Sequence, residues 1–549
     1  MKRLFYTFLI AVLATSCLDL EPKVYSDITL EQLMGNAEET SGYMLSPIYG
    51  QMRWFFEDRS VWDLHDLGTD AWIVPINTDG GWNDNGIWQR LNKHEWLPTD
   101  PHFEEVWGHL WYGITSCCNR VLYQLESAGV ELDEATIAEI KVVRAHYYYH
   151  LLSFFGNVPI ETSFVVPEGY LPKTRTRKEV YDFVVSEIRN NMDKLTEDKT
   201  YSRFNKWAAK HMLARVYLNA EAWLGPEYAS KRDSTLILCN EIIGSGKYQL
   251  DDSFSHIFSL DNTASPEVIF AVPYDETTAN EGHPILHCIY AKTMHWNGKG
   301  VYDAASAGYN GLRANPEYVS EVFDAEEDPV THNCVSYNDK RYVDTYLMGQ
   351  QYDYVTKEPL YLNLNNVEVP YNHINYITSP TAADEFEGYR YGKYEIKIGQ
   401  KWETDQDWVM YRYGETLMMK AECLLRNGDA ESAAEIVNEV RARSFDKKDK
   451  DGNEVPEDVY TLTAAQLNAT TEVNGVQVQY GEFLQELGRE FCGEAMRREQ
   501  LIRFDDVYTK GSWWGHEQPS KETYRHLYPI PDKERTTNPE LRQNDGYPL

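Results

Sequence analysis

The block 408–442, WVMYRYGETLMMKAECLLRNGDAESAAEIVNEVRA, constrains the fold more than any other stretch of the chain. Its first half carries Tyr413, Leu417, Ala421 and Leu424 at helical spacing. Asn427-Gly428-Asp429 makes a turn. Its second half carries Ala434, Val437 and Val440 on one stripe, with small residues where two helices must approach closely. A pair of amphipathic helices like this buries only one face within itself. The other must stack on a neighbouring pair, so the block predicts an extended helical array.

Other segments repeat the theme. Trp107, Leu110, Trp111, Ile114, Val121 and Leu125 fall near helical spacing, as do Ile140, Tyr147, Leu151 and Phe155. Val180, Val184, Ile188 and Leu195 form a third stripe, and Thr176 with Glu179 makes a capping box ahead of it. Helices over 203–222 and 230–243, broken at Gly225-Pro226, make a looser pair. A last, heavily charged helix is expected over 481–505. The 408–442 pair resembles a tetratricopeptide unit. The fold class is therefore mainly α: tetratricopeptide-like helix pairs in a right-handed superhelical scaffold, with irregular loops and short strands around it.

Residues 60–100 and 246–404 have little periodicity and are rich in Trp, Tyr, Asn, Asp and Gly. Irregular segments of this length are usually functional or disordered, and their aromatics argue against disorder. The chain has 15 Trp and 39 Tyr, more than a core alone suggests. Indole and phenol faces pack on the apolar face of a pyranose while amides and carboxylates bond its hydroxyls. In DAWIVPINTDGGWNDNGIWQRLNKHEW (70–96) the candidates are Trp82 and Asn83, lifted by an Asp79-Gly80-Gly81 turn, then Trp72 and Trp88. In MHWNGKGVYDAASAGYNGLRANPEY (294–318) they are Trp296, Tyr302, Tyr309 and Arg313.

A net charge of -34, with no basic stripe to neutralise phosphates, argues against a nucleic-acid partner. His94-Glu95 begins a zinc-protease pattern, but Pro98 stands where the second histidine belongs. The loop 446–458 has Lys447 at the first position of a calcium loop and Asp458 at the last, so it reads as a solvated acidic loop. No motif for a cofactor or metal emerges. Glu490, Glu494, Glu499, Asp505 and Asp506 could be read as glycosidase carboxylates. Their spacing against Arg489, Arg497 and Arg498 favours ion pairs. The eight cysteines contain no CxxC pair, and a disulfide framework is not expected.

The amino terminus, MKRLFYTFLIAVLATSCLDLEP, is an export leader: Lys2-Arg3, a short apolar run, small residues, then Cys17. This order resembles a bacterial lipobox, in which the cysteine becomes the lipidated first residue. Acylation at Cys17 would tether the chain to a membrane. Residues 1–16 are the expected signal peptide, 17–30 a polar tether, and 31–549 one domain. Its scaffold would lie mainly in 100–245 and 408–442, its ligand-side loops in 60–99 and 246–404, and its C-terminal segment in 446–549.

Four ordered segments carry a wider resemblance: RAHYYYHLLSFFGNVPI (144–160), YGETLMMKAECLLRNGDAESAAEIVNEVRARS (413–444), REFCGEAMRREQLIR (489–503) and LYPIPDKERTTNPELRQNDGY (527–547). Together with the lipobox they resemble the SusD/RagB family of outer-membrane nutrient-binding lipoproteins of Bacteroidetes. Ala495 and Gln500 depart from the usual Gly and Asp of the charged helix. The resemblance implies a lipoprotein facing the cell exterior, with Asp19 and Glu21 as a surface-export signal. It also implies a binding protein rather than an enzyme, which captures oligosaccharides for a SusC-like TonB-dependent transporter. Peptide capture or a scaffold role is the alternative, and a surface glycoside hydrolase a third.

Overall fold

The computed structural model describes residues 37–78, 82–127, 133–275, 292–305, 308–364, 366–400, 405–448 and 452–548. The leader, Cys17, the tether and the Asp79-Gly80-Gly81 turn lie outside the described residues.

The scaffold is built from helix pairs. Helix α1 (Glu134–Phe154) starts where the Asp133 side chain accepts from the Thr136 amide at 2.6 Å, and it is buried on nearly every side. A helix that is buried all round belongs at the centre of a stack. Its partner α2 (Arg177–Asn191) begins at the expected Thr176/Glu179 capping box. Helix α3 (Lys206–Leu224) is capped by Asn205, whose Oδ1 accepts from the Trp207 and Ala208 amides at 3.0 and 2.9 Å. It ends at Gly225 and pairs with α4 (Lys231–Gly244). The third pair is α5 (Tyr413–Arg426) and α6 (Ala430–Arg441), with Gly428 at φ +90° between them, a conformation that favours glycine. Helix α2 packs on α3 and α4 on α5, so the pairs stack in chain order.

Two expected helices turn out otherwise. Residues Trp408–Arg412, read as the start of a helical block, form a strand antiparallel to Val268–Val272. All five are buried, so they need partners on both faces and a backbone ladder satisfies them. The charged segment 481–505 is two helices, α7 (Gly481–Phe491) and α8 (Arg497–Arg503). Between them Gly493 and Ala495 sit at φ +74° and +60°, which breaks the helical path.

That break lets α7 and the following turn meet the strand. Arg412 donates to Glu267, Glu490 and Glu494 at 2.7–2.8 Å. Arg341 holds Glu486 and Glu490 at 2.8 Å, and Lys393 holds Glu494 at 2.5 Å. All of these side chains are buried. Glu490 and Glu494 are thus ion-paired, but not with the neighbouring arginines that the spacing suggested: their partners come from distant segments, while Arg489 pairs with Glu482 and Glu486 and Arg497 with Asp70. Neither carboxylate is free to flank a substrate.

The chain ends as a strap across α1. Tyr528 donates to Leu64 O at 2.8 Å. Asn544 donates to Phe155 O and Tyr528 O at 2.9 and 2.8 Å and accepts from Asn157 at 2.9 Å. Tyr547 receives the Trp96 indole N–H at 2.7 Å. The FGNVP segment and the YPIP…QNDGY segment thus hold each other.

Candidate ligand-binding site

Three loop segments converge beside this scaffold. The two-residue strand Trp72–Ile73 pairs with Arg313–Ala314. Lys292 O accepts from the Gly311 and Leu312 amides at 2.7 and 2.9 Å, and Met294 O from the Asn310 amide at 3.0 Å. Asn77 Nδ2 donates to Asn310 O at 3.1 Å. Hydrogen bonds therefore unite 72–77, 292–294 and 310–314, parts of the stretches that sequence chemistry singles out.

Within this unit the candidate residues divide by burial. Trp82, at φ +44°, is half-buried. Its ring meets Trp88 edge-on at 5.0 Å and lies 5.7 Å from Tyr309, which is 46 % exposed. Gly311 makes this packing possible: a Cβ there would come within 1.8 Å of the Trp82 ring. Asn83 is exposed next to it. Trp82, Asn83 and Tyr309 thus make one surface with two ring faces and an amide. Trp82 is not thrown outward as the glycine turn suggests; it leans on a backbone floor.

Trp72, Trp88 and Arg313 require correction, because none can touch a ligand in this structure. Trp72 is fully buried against Trp62, Tyr346 and Tyr391, at 6.4, 5.7 and 5.2 Å. Trp88 is buried, donates to Asp84 at 2.8 Å and meets His102 edge-on at 4.5 Å. Its role is to support Trp82. Arg313 is fully buried and donates to Asp384 O at 2.9 Å and to the Asn77 side chain. Burial and the nearby Arg390 push its guanidinium pKa down. It ties the 70s loop to the 308–314 segment.

Trp296 is half-buried and lies against His295, the rings tilted by 33° with centroids 4.0 Å apart. The Asn297 amide donates to His295 Nδ1 at 2.9 Å, so Nε2 carries the ring proton and donates to Glu385 at 2.5 Å. Burial, with Arg390 and Arg313 near, lowers the His295 pKa to about 3, which keeps the ring neutral. His295 is thus a fixed backing for Trp296. Tyr302 is half-buried against Met294 and Ala304. Sequence chemistry missed Gly311 and His295: a glycine under a ring and a histidine behind one carry no local signal.

The surface offers rings and amides for stacking and hydrogen bonding. No group of three or more metal-ligating side chains occurs among the described residues.

The family model described as "SusD family" matches residues 266–547, just over half of the chain. The chain belongs to the SusD family. A second model, "Starch-binding associating with outer membrane", matches residues 63–218. The chain is 24% identical over 517 residues to the starch-binding protein SusD of Bacteroides thetaiotaomicron, covering 89% of this chain and 85% of that one. Among solved structures, a SusD superfamily protein from Parabacteroides distasonis superposes with a TM-score of 0.68 at 18% identity, over 93% of this chain and 100% of that one. Surface glycan-binding protein A of Bacteroides thetaiotaomicron, in complex with laminarihexaose, gives a TM-score of 0.63 at 18% identity, over 92% and 99% of the two chains. These likenesses give a SusD-like fold to more than nine-tenths of the chain.

Proposed function

We propose that this SusD family member is a cell-surface glycan-binding lipoprotein. In this reading Cys17 carries the lipid that anchors it to the outer membrane, facing outward. The protein captures oligosaccharides and delivers them, uncleaved, to a SusC-like TonB-dependent transporter. The observation that carries the reading is the Trp82–Tyr309 pair, two accessible rings fixed by Gly311 and Trp88 beside the exposed Asn83 amide. Stacking on preorganised rings costs little side-chain entropy, and a polar rim orients sugar hydroxyls. Trp296 on its His295 backing adds a third ring, and Tyr302 a fourth. The starch-binding relative and the laminarihexaose complex of a structural neighbour support the same ligand class. Against catalysis stand the buried, ion-paired Glu490 and Glu494.

The test is a calorimetric titration of the chain begun after Cys17 against starch, laminarin and other neutral polysaccharides, with end solutions checked for cleavage. Saturable binding without products is expected. Trp82→Ala should weaken it by about tenfold or more, since a lost aromatic contact forfeits area burial as well as ring-specific terms. Binding that Trp82→Ala and Trp296→Ala both leave unchanged refutes the site, and products refute the capture role.

A further inference from the structure

Beyond the Trp82–Tyr309 surface lies a second pair of exposed rings. Residues 349–364 and 366–373 contribute to a small three-way strand junction. Leu360 N donates to Gln351 O, Gln351 N to Tyr371 O, and Tyr371 N to Leu360 O, at 2.8–2.9 Å. Tyr352 is bridged antiparallel to Pro359, and Tyr361 is paired with Pro370. Side chains alternate along strands. Gln351, Leu362 and Tyr371 are buried on the inner side, so Tyr352, Pro359, Tyr361 and Pro370 share the outer side. Tyr352 is 53 % and Tyr361 50 % exposed. Tyr361 stands two residues beyond the cross-strand partner of Tyr352, a diagonal spacing of about 7–8 Å.

This shelf is hydrogen-bonded through its own turn and joined to the candidate site. Asp353 closes its turn by accepting from the Val355 and Thr356 amides at 3.0 and 2.8 Å and from the Thr356 hydroxyl at 3.1 Å. Tyr354 N donates to Gly300 O at 2.8 Å. The contact is close: a Cβ at Gly300 would meet Asp353 Oδ2 at 2.8 Å, and one at Gly298 would meet the Tyr371 hydroxyl at 2.7 Å. Gly300 follows Trp296 by four residues, a reach of at most about 14 Å. The shelf is thus seated against the turn that follows the Trp296 platform.

We propose that Tyr352 and Tyr361 form an outer stacking subsite for a further stretch of the glycan chain held at Trp82, Tyr309 and Trp296. The proposal rests on the glycan reading and adds a specificity to it: the protein selects long chains over short ones. Phenol and proline faces beside tyrosine hydroxyls suit the ring faces and hydroxyl edges of sugar units. The rings are set on paired strands before a ligand arrives, so each added contact returns most of its energy as affinity.

The experiment titrates wild type, Trp82→Ala and the double variant Tyr352→Ala/Tyr361→Ala with malto- and laminari-oligosaccharide ladders from disaccharide to decasaccharide. Both tyrosines are exposed, so unchanged thermal melting will show that the double variant is folded. For wild type, affinity should rise with length beyond the span of the inner site. In the double variant that rise should disappear, with about a tenfold loss on the longest chains and none on the shortest. Trp82→Ala should lose affinity at every length. A double variant that matches wild type at all lengths overturns the subsite and leaves the glycan reading standing. No binding by wild type to either ladder overturns both.

Discussion

Replacing Arg412 by methionine should test the internal charge cluster most directly. The guanidinium makes five hydrogen bonds. Nη1 reaches Glu267 and Glu490 at 2.7 and 2.8 Å, Nε and Nη2 reach Glu494 at 2.7 and 2.9 Å, and Nη2 reaches Glu490 O at 2.9 Å. After substitution Glu494 keeps Lys393, Glu267 keeps Arg443, and Glu490 keeps Arg443 and Arg341, the last already shared with Glu486. The cluster is then short of one cation in a fully buried setting. Removing one partner of such a group costs about 3–5 kcal/mol, because the charge left behind is desolvated and under-paired. The deficit carries a pH signature. Although burial opposes ionisation, Arg443, Arg412 and Arg341 hold the Glu490 pKa at about 2, below its ordinary 4.5. A depressed carboxylate stabilises the fold above its unfolded pKa, and this stabilisation is lost as pH falls towards the folded value. With Arg412 gone, Glu490 takes up a proton more readily, and protonation relieves the imbalance. Urea unfolding followed by tryptophan fluorescence should show the full deficit at pH 7 and a smaller one near pH 4. A variant within about 1 kcal/mol of wild type at pH 7, or a deficit that grows on acidification, would refute the reasoning.

Gly311→Ala drives a methyl group into the Trp82 ring, so it should weaken glycan binding as Trp82→Ala does while leaving the melting temperature nearly unchanged; calorimetry beside a thermal melt checks both. Asn544→Ala unpairs the carbonyls of Phe155 and Tyr528, and should cost about 1–3 kcal/mol for each, read as a lower urea midpoint. Burial, with Arg215 near, lowers the His146 pKa to about 3, and burial lowers those of His65 and His150 as well. Below about pH 6.5 the unfolded chain takes up protons that these rings refuse, so stability should fall from there towards pH 3. His146→Phe should flatten that fall in a pH series of unfolding midpoints.

Which parts of this molecule can be read from sequence follows from how local the deciding interactions are. The helix pairs are legible because their stripes, caps and turns lie within a few residues: Thr176 with Glu179, and Leu417 with Ala421. The strand Trp408–Arg412 is not, since five consecutive buried residues have no period to betray it. The break at Gly493 and Ala495 is hidden too, because the charge pattern runs on through it. The site shows the same division. Sequence chemistry picks out segments that the fold brings together, since rings among amides and glycines mark them out. It cannot rank the rings, because Trp72 is buried by Tyr346 and Tyr391, which lie far along the chain. Nor does the tyrosine excess mean what it suggests. Tyr49, Tyr147, Tyr148, Tyr149 and Tyr528 are buried with their hydroxyls bonded to Glu139, Ile48 O, Glu161 O, Glu499 and Leu64 O. These tyrosines rivet the scaffold, supplying a ring to the core and a donor to a buried acceptor at once. Among the described residues of the loop face, backbone bonds join the segments that carry Trp296, Tyr309 and Tyr352, and the proposed site rests on the rings that stay accessible there. Substitutions there should separate binding from folding, whereas substitutions among the riveting tyrosines should change both together.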